Sequence, residues 1–215
     1  DGLIITEMLP KHIVEDLKQH VKHIITIDNY QNMFNSVGFD DFDSTKKIMK
    51  HLLNSGYKRI AYIGGGAPNI DMFDTKRLIM YRECLRRENI EYDETIIKDC
   101  YWDLEQCAIQ TNELLQLPNR PDAIFAGSDS LAQVVIAQIY QNNLRCPEGV
   151  AVAGVNNLNF SSYLIPPLTT VDVPSDEIGR VAVKRLLEMI QKNDQSIYGI
   201  FLPTKLIVRG STKGI

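Results

Sequence analysis

The 215 residues contain no apolar run long enough to cross a bilayer, and no cationic, apolar leader opens them. The opening Asp1-Gly2-Leu3-Ile4-Ile5-Thr6 already has the make-up of a folded strand. Cations are in deficit, with 23 Lys and Arg against 27 Asp and Glu, a net charge of -4. Segments that grip nucleic acid carry a basic excess or a basic face. These residues are therefore not expected to bind DNA by themselves. Cysteine is scarce. Cys84, Cys100, Cys107 and Cys146 form no Cys-x-x-Cys pair and have no His at ligand spacing, which excludes a structural zinc site or redox motif. Reduced thiols packed as small hydrophobes are expected instead. Catalytic signatures are missing too. Gly64-Gly65-Gly66 is not followed by Lys-Ser/Thr, no Gly-x-Gly-x-x-Gly occurs, and there is no Gly-x-Ser-x-Gly elbow. His12, His20, His23 and His51 fall at surface-like positions with no nucleophile beside them. The residues point away from an enzyme, and no metal or cofactor is expected.

What is present is alternation. Short runs rich in Ile, Val, Phe and Ala predict strands at Gly2–Thr6, His23–Asp28, Arg59–Gly64, Thr95–Asp99, Ala123–Ala126, Val150–Val155, Thr169–Val173 and Leu202–Val208. They lack clean period-two alternation, as strands covered on both faces of a parallel sheet do. Amphipathic stretches predict helices at Ser44–Asn54, Thr75–Glu88, Asp103–Leu115, Ser128–Asn142 and Ser175–Gln191. Gly56 is placed to end the first of these, and Asp103 to cap the third. The pattern predicts an α/β, doubly wound architecture. Crossings between two lobes are expected at Val37–Asp43, at Val173-Pro174-Ser175 and near Gly199–Pro203.

Several segments carry a family resemblance. They are Leu53-Asn54-Ser55-Gly56-Tyr57-Lys58-Arg59-Ile60-Ala61-Tyr62-Ile63-Gly64-Gly65, then Arg120-Pro121-Asp122-Ala123-Ile124-Phe125-Ala126-Gly127-Ser128-Asp129-Ser130-Leu131-Ala132. Asn143-Leu144-Arg145-Cys146-Pro147-Glu148-Gly149-Val150, Gly154-Val155-Asn156-Asn157, Pro166-Pro167-Leu168-Thr169-Thr170-Val171 and Leu202–Arg209 follow. Each is weak alone. In this order, over nearly the whole chain, they resemble the lactose/galactose repressor family of bacterial transcriptional regulators. No helix-turn-helix candidate is present, so the resemblance is to the effector-sensing part of such a regulator.

The resemblance implies two Rossmann-like lobes of the periplasmic-binding-protein type, with parallel sheets and three crossovers. Residues 1–39 and 174–198 would form one lobe, incomplete at its start, and residues 40–173 and 199–215 the other. A small effector, a carbohydrate or related metabolite, would bind between the lobes at the carboxyl ends of the strands. Implied ligand contacts are Asp28, Tyr30, Phe39, Arg77, Trp102, Ser128 and Asn156. Arg77 offers a two-pronged donor for adjacent hydroxyls, and Trp102 a flat face for the C–H side of a sugar. Met80 stands where the family mostly has Gly, Ser128 where it has Asn, and Asn156 where it has Asp. Asp129 is as well suited to capping a helix as to meeting a ligand. The broad apolar girth of Ser128–Asn142 predicts a homodimer through Leu131, Val134, Val135 and Tyr163. Operator DNA is expected as a partner only through an N-terminal domain outside these residues. A cytoplasmic, membrane-free protein is expected. The competing reading is an extracytoplasmic sugar-binding protein of a transporter or receptor.

Overall fold

Most of the apolar runs become strands in the computed structural model, which describes residues 1–6, 9, 11–27, 34–66, 72 and 75–214. The elements run β1 (Gly2–Ile5), α1 (Lys11–His20), β2 (His23–Ile27), β3 (Asn35–Phe39), α2 (Asp41–Asn54), β4 (Ile60–Gly64), α3 (Lys76–Arg87), β5 (Ile97–Asp99), α4 (Leu104–Gln116), β6 (Ala123–Ala126), α5 (Asp129–Gln141), β7 (Ala151–Asn156), β8 (Thr169–Asp172), α6 (Ser175–Lys192), β9 (Gly199–Leu202) and β10 (Lys205–Ile207). They form two compact units. The first takes the described parts of Asp1–Asp40 and Pro174–Thr204, the second those of Asp41–Gly66, Ile70–Val173 and Lys205–Ile215.

The first unit holds a parallel sheet in the order β1-β2-β3-β9. Helix α6 packs on it through Ile178, Ala182 and Met189. A buried cation ties this unit together. The Arg185 guanidinium donates to Asp194 at 2.7 Å, to Asn35 Oδ1 at 3.2 Å and to the Ser196 carbonyl at 3.1 Å. It also lies 4.4 Å from the centre of the Tyr198 ring. Such a charge is tolerated inside only because its donors are satisfied. Asp194 is held far below the ordinary carboxylate range by hydrogen bonds from Ser196 and by Arg185.

The second unit holds a sheet in the order β10-β8-β7-β6-β4-β5, parallel except for β10 against β8. Its strands are apolar on both faces because both faces are covered. Ala61, Ile63, Ile124, Ala126 and Val152 pack with Leu114, Leu131, Val135 and Ile139 of α4 and α5. On the other side Tyr62 meets Phe125 edge-on at 5.2 Å and Tyr81 of α3 at 6.4 Å. Helix starts follow from local chemistry. The side chains of Thr75, Asp103 and Ser128 accept hydrogen bonds from the amides of Leu78, Gln106 and Leu131. Gly56, at φ +90°, takes the backbone past the end of α2.

Val37–Asp43 does hold the expected crossing, which passes directly from a strand to a helix. Its first half belongs to β3, its second to α2, and the chain leaves the first unit at Asp40–Asp41. Several expectations need correction. With polar Asn35 and Ser36, β3 gives no apolar run, yet both are buried because Arg185, Ser196 and Tyr198 meet their polar groups. Helix α1 was not anticipated from its short stripe of Ile13, Val14 and Leu17. The final strand Leu202–Val208 is two strands. β9 pairs with β3 and β10 with β8, so the last crossing falls at Thr204–Lys205 instead of 198–199. His23 and His51 are buried, not surface residues. The four cysteines are free and buried.

Candidate ligand-binding site

In the second sheet, β4 has β5 on one side and β6 on the other, so the winding reverses between β4 and β6. Connections there leave in opposite directions and open a crevice at the carboxyl ends of the strands. The strand ends at that point are Gly64-Gly65 and Gly127. Both lack side chains where one would collide with an indole. A Cβ on Gly65 would lie 2.8 Å from Trp102 Cδ1, and one on Gly127 would lie 2.9 Å from Trp102 Cζ3. The Trp102 ring therefore lies across the two bare strand ends. Its Nε1 donates to the Gly66 carbonyl at 2.7 Å, and 43% of the residue remains exposed. Tyr101 and Trp102 both have left-handed backbone, at φ +53° and +60°. Bulky residues adopt that conformation only at a cost.

Arg77, in the first turn of α3, reaches the same point. Its Nε donates to Asp41 Oδ1 at 2.8 Å and its Nη1 to the Gly127 carbonyl. Its Cζ lies 5.7 Å from the centre of the Trp102 ring, within cation–π range. Beneath it the Tyr62 ring is fully buried, with the hydroxyl against Gly64 and Gly127. That hydroxyl feels the Arg77 charge but makes no hydrogen bond of good geometry among the described residues. Burial pushes the Tyr62 phenol up to about 12.

Ser128 follows β6 and spends its hydroxyl on capping α5. Asp129 is not that cap. Its carboxylate is fully buried and accepts from Leu158 N at 2.8 Å, Ser161 Oγ at 2.6 Å and Thr170 Oγ1 at 2.6 Å. Burial raises its pKa while these donors oppose the shift. Asp129 thus ties β6 to β8 and to the loop after β7. Asn156 ends β7 at φ +110°, outside the usual range of any residue with a side chain. Its amide has no hydrogen-bond partner among the described residues and is partly exposed. Its neighbour Asn157 donates to Asp172 at 2.7 Å and accepts from Arg209 at 2.8 Å.

Of the expected contacts, Arg77, Trp102, Ser128 and Asn156 all come to the carboxyl edge of this sheet. Phe39 is 4% exposed at the end of β3 in the first unit, which leaves it little surface as a ligand wall. Asp28 and Tyr30 lie outside the described residues. The sequence reading missed Asp41, Tyr62 and the two glycines under the indole. Asp41 sits among Asp40 and Asp43, and nothing local distinguishes it. The expected dimer contacts also need correction. Leu131 and Val135 are 1% and 0% exposed, and Val134 packs against the same core. The second apolar stripe of α5 is used inside the chain against α4. Tyr163 is 83% exposed, beside Ile165 at 82%.

Three comparisons bear on this geometry. The family model described as periplasmic binding protein-like domain matches residues 49–212. The NTD biosynthesis operon regulator NtdR of Bacillus subtilis (strain 168) is 31% identical over 184 residues, 82% of this chain and 53% of its own length. The HTH-type transcriptional repressor CytR of Escherichia coli (strain K12) is 31% identical over 180 residues, 84% of this chain and 52% of its own. The chain thus spans about half the length of the curated relatives it matches. Among solved structures, a LacI family transcriptional regulator from Enterococcus faecium with bound ribose superposes at a TM-score of 0.87. It is 26% identical and covers 100% of this chain and 80% of its own.

Proposed function

Because the chain belongs to the periplasmic binding protein-like domain family, we propose that it senses a small carbohydrate or related metabolite for a bacterial transcriptional regulator. The observation that carries the reading is the Trp102 indole, lying against Gly65 and Gly127 at the switch point with Arg77 beside it. A sugar ring needs an apolar plate for its C–H face and planar donors for its hydroxyls. Both are already in place, so little ordering cost falls on binding. Asn156 adds a free donor and acceptor at the next strand end. Ligand binding would act by differential affinity for two states of the regulator. Operator DNA would be held by a helix-turn-helix domain such as the name of the CytR relative records. Relatives named as regulators favour this reading over an extracytoplasmic sugar-binding protein. Among the described residues no helix is long and apolar enough to cross a membrane. The regulator is read as cytoplasmic, and its sensing half as a binding module, not an enzyme.

The test is a thermal-shift and calorimetric screen of ribose, glucose, cellobiose and purine nucleosides. A binding compound should change Trp102 emission. Arg77→Ala should weaken it at least about tenfold, since hydrogen bonds to a charged group contribute roughly 1.5–3 kcal/mol. Binding with unaltered emission, and with full affinity in Trp102→Ala, would count against the site.

A further inference from the structure

Resting on that reading, we infer that Arg209 is a positioning residue for the site: its guanidinium holds the Asn156-Asn157 turn in the conformation that sets the Asn156 amide at the end of β7. Two successive residues with side chains have left-handed backbone there, Asn156 at φ +110° and Asn157 at φ +52°. Such conformations persist only where the surroundings over-determine them. Asn156 leaves β7 in register with Asp172 of β8. Its partly exposed side chain forms no hydrogen bond among the described residues, so it cannot hold itself.

The hold is applied one residue later. Asn157 Oδ1 accepts from Arg209 Nη2 at 2.8 Å, Asn157 Nδ2 donates to Asp172 Oδ1 at 2.7 Å, and the Asn157 backbone N–H points to Thr170 Oγ1 at 3.4 Å. The first two bonds use the carboxamide oxygen and nitrogen separately, which fixes the orientation of the group. Arg209 comes from 52 positions further along the chain and is itself anchored. Its Nη1 donates to the Leu168 carbonyl at 2.8 Å, and its backbone N–H to Thr169 Oγ1 at 2.9 Å. Beyond it, a Cβ on Gly210 would lie 3.3 Å from Pro166 Cβ, and Ser211 N donates to the Pro167 carbonyl at 2.9 Å. One planar fork thus joins the residue before β8 to the turn after β7. Both of its acceptors are neutral, so Arg209 supplies reach and direction here, not charge pairing. An ammonium on a flexible stem lacks that fork.

The experiment joins NMR of the whole chain to calorimetry. A residue at positive φ gives a strong NOE between its own amide proton and Hα. The unaltered protein should show this NOE at Asn156 and Asn157. Arg209→Lys and Arg209→Met should lose it at Asn156. They should also bind at least about tenfold more weakly whichever of ribose, glucose, cellobiose and adenosine the unaltered protein binds. Tyr57→Phe is the control, since it removes the hydroxyl that accepts from Lys213 N at 3.0 Å in the same tail. That variant should keep the NOE and bind within about twofold of the unaltered protein. An Arg209→Lys protein that melts lower yet keeps the Asn156 NOE and full affinity makes Arg209 a structural residue and overturns the inference. Loss of the NOE with full affinity overturns it too, as does an unaltered protein without the NOE. If none of the four compounds binds, the carbohydrate reading falls, and the NOE comparison alone decides what Arg209 holds. Should Arg209→Met fail to fold, Arg209→Lys carries both readouts.

Discussion

At the scale of single residues, the site stores strain where it needs shape. Asn156 is held at φ +110°, and among the described residues its side chain has no hydrogen bond to repay the cost. Residues with a side chain in such regions cost about 1–3 kcal/mol, and strain of that kind collects at functional positions. Asn156→Gly removes the strain and the amide together. Glycine gives back part of the gain through its larger chain entropy. The expected outcome is a ligand-free protein more stable by about 1 kcal/mol in urea unfolding, with ligand affinity down at least about threefold. Equal affinity in the variant would make Asn156 a structural residue. Asp129 shows the opposite case, a carboxylate next to the site whose three hydrogen bonds all go to the protein. Proximity to a strand end did not make it a ligand contact.

At the scale of elements, the C-terminal tail is fastened to α2 and β8 through a histidine. His51 Nε2 and Thr212 Oγ1 are 2.8 Å apart, and Thr212 Oγ1 is 2.8 Å from Thr169 Oγ1. Ser211 continues the seam by donating to the Val152 carbonyl and accepting from Thr169 N. His51 is 3% exposed, and its Nδ1 has no partner among the described residues. Burial lowers its pKa below the ordinary histidine value of 6.5. The folded protein therefore keeps this ring neutral at pH values where the unfolded chain protonates it. Proton uptake favours the unfolded state, so the contribution of His51 is complete above about pH 6.5 and shrinks as pH falls. The slope is at most about 1.4 kcal/mol per pH unit for one proton. Urea unfolding between pH 7.5 and 5.5 should show the unaltered protein losing more stability than His51→Gln. Parallel profiles would mean the ring is not kept neutral by folding.

At the scale of the whole molecule, the surface of the second unit bears on self-association. Helix α5 cannot present Leu131 or Val135 to a partner, because the core uses them. Tyr163 and Ile165, two positions apart, are 83% and 82% exposed on the second unit. We propose that a two-fold dimer covers these residues, since large apolar side chains grouped on a surface commonly mark contacts. Sedimentation equilibrium at micromolar concentration should give a dimer, and Tyr163→Glu with Ile165→Lys should give a folded monomer. A monomer in the unaltered protein, or a dimer that ignores both substitutions, removes this placement.

The order of residues alone determined the α/β class, because a parallel sheet covered on both faces leaves unbroken apolar runs between amphipathic helices. It determined the starts of α3, α4 and α5, because Thr75, Asp103 and Ser128 cap through neighbours only three positions away. Arg77 and Trp102 stood out by residue type and by resemblance. Tertiary structure decided what depends on partners distant in the chain. β3 is a strand because Arg185, 150 positions later, satisfies Asn35. Leu202–Val208 divides because its halves find strands in different sheets. Gly65 and Gly127 matter because the fold lays one indole across both. Asp41 matters because α2 and α3 bring it to Arg77, so the charge offered to a ligand is set by a contact that no local pattern encodes.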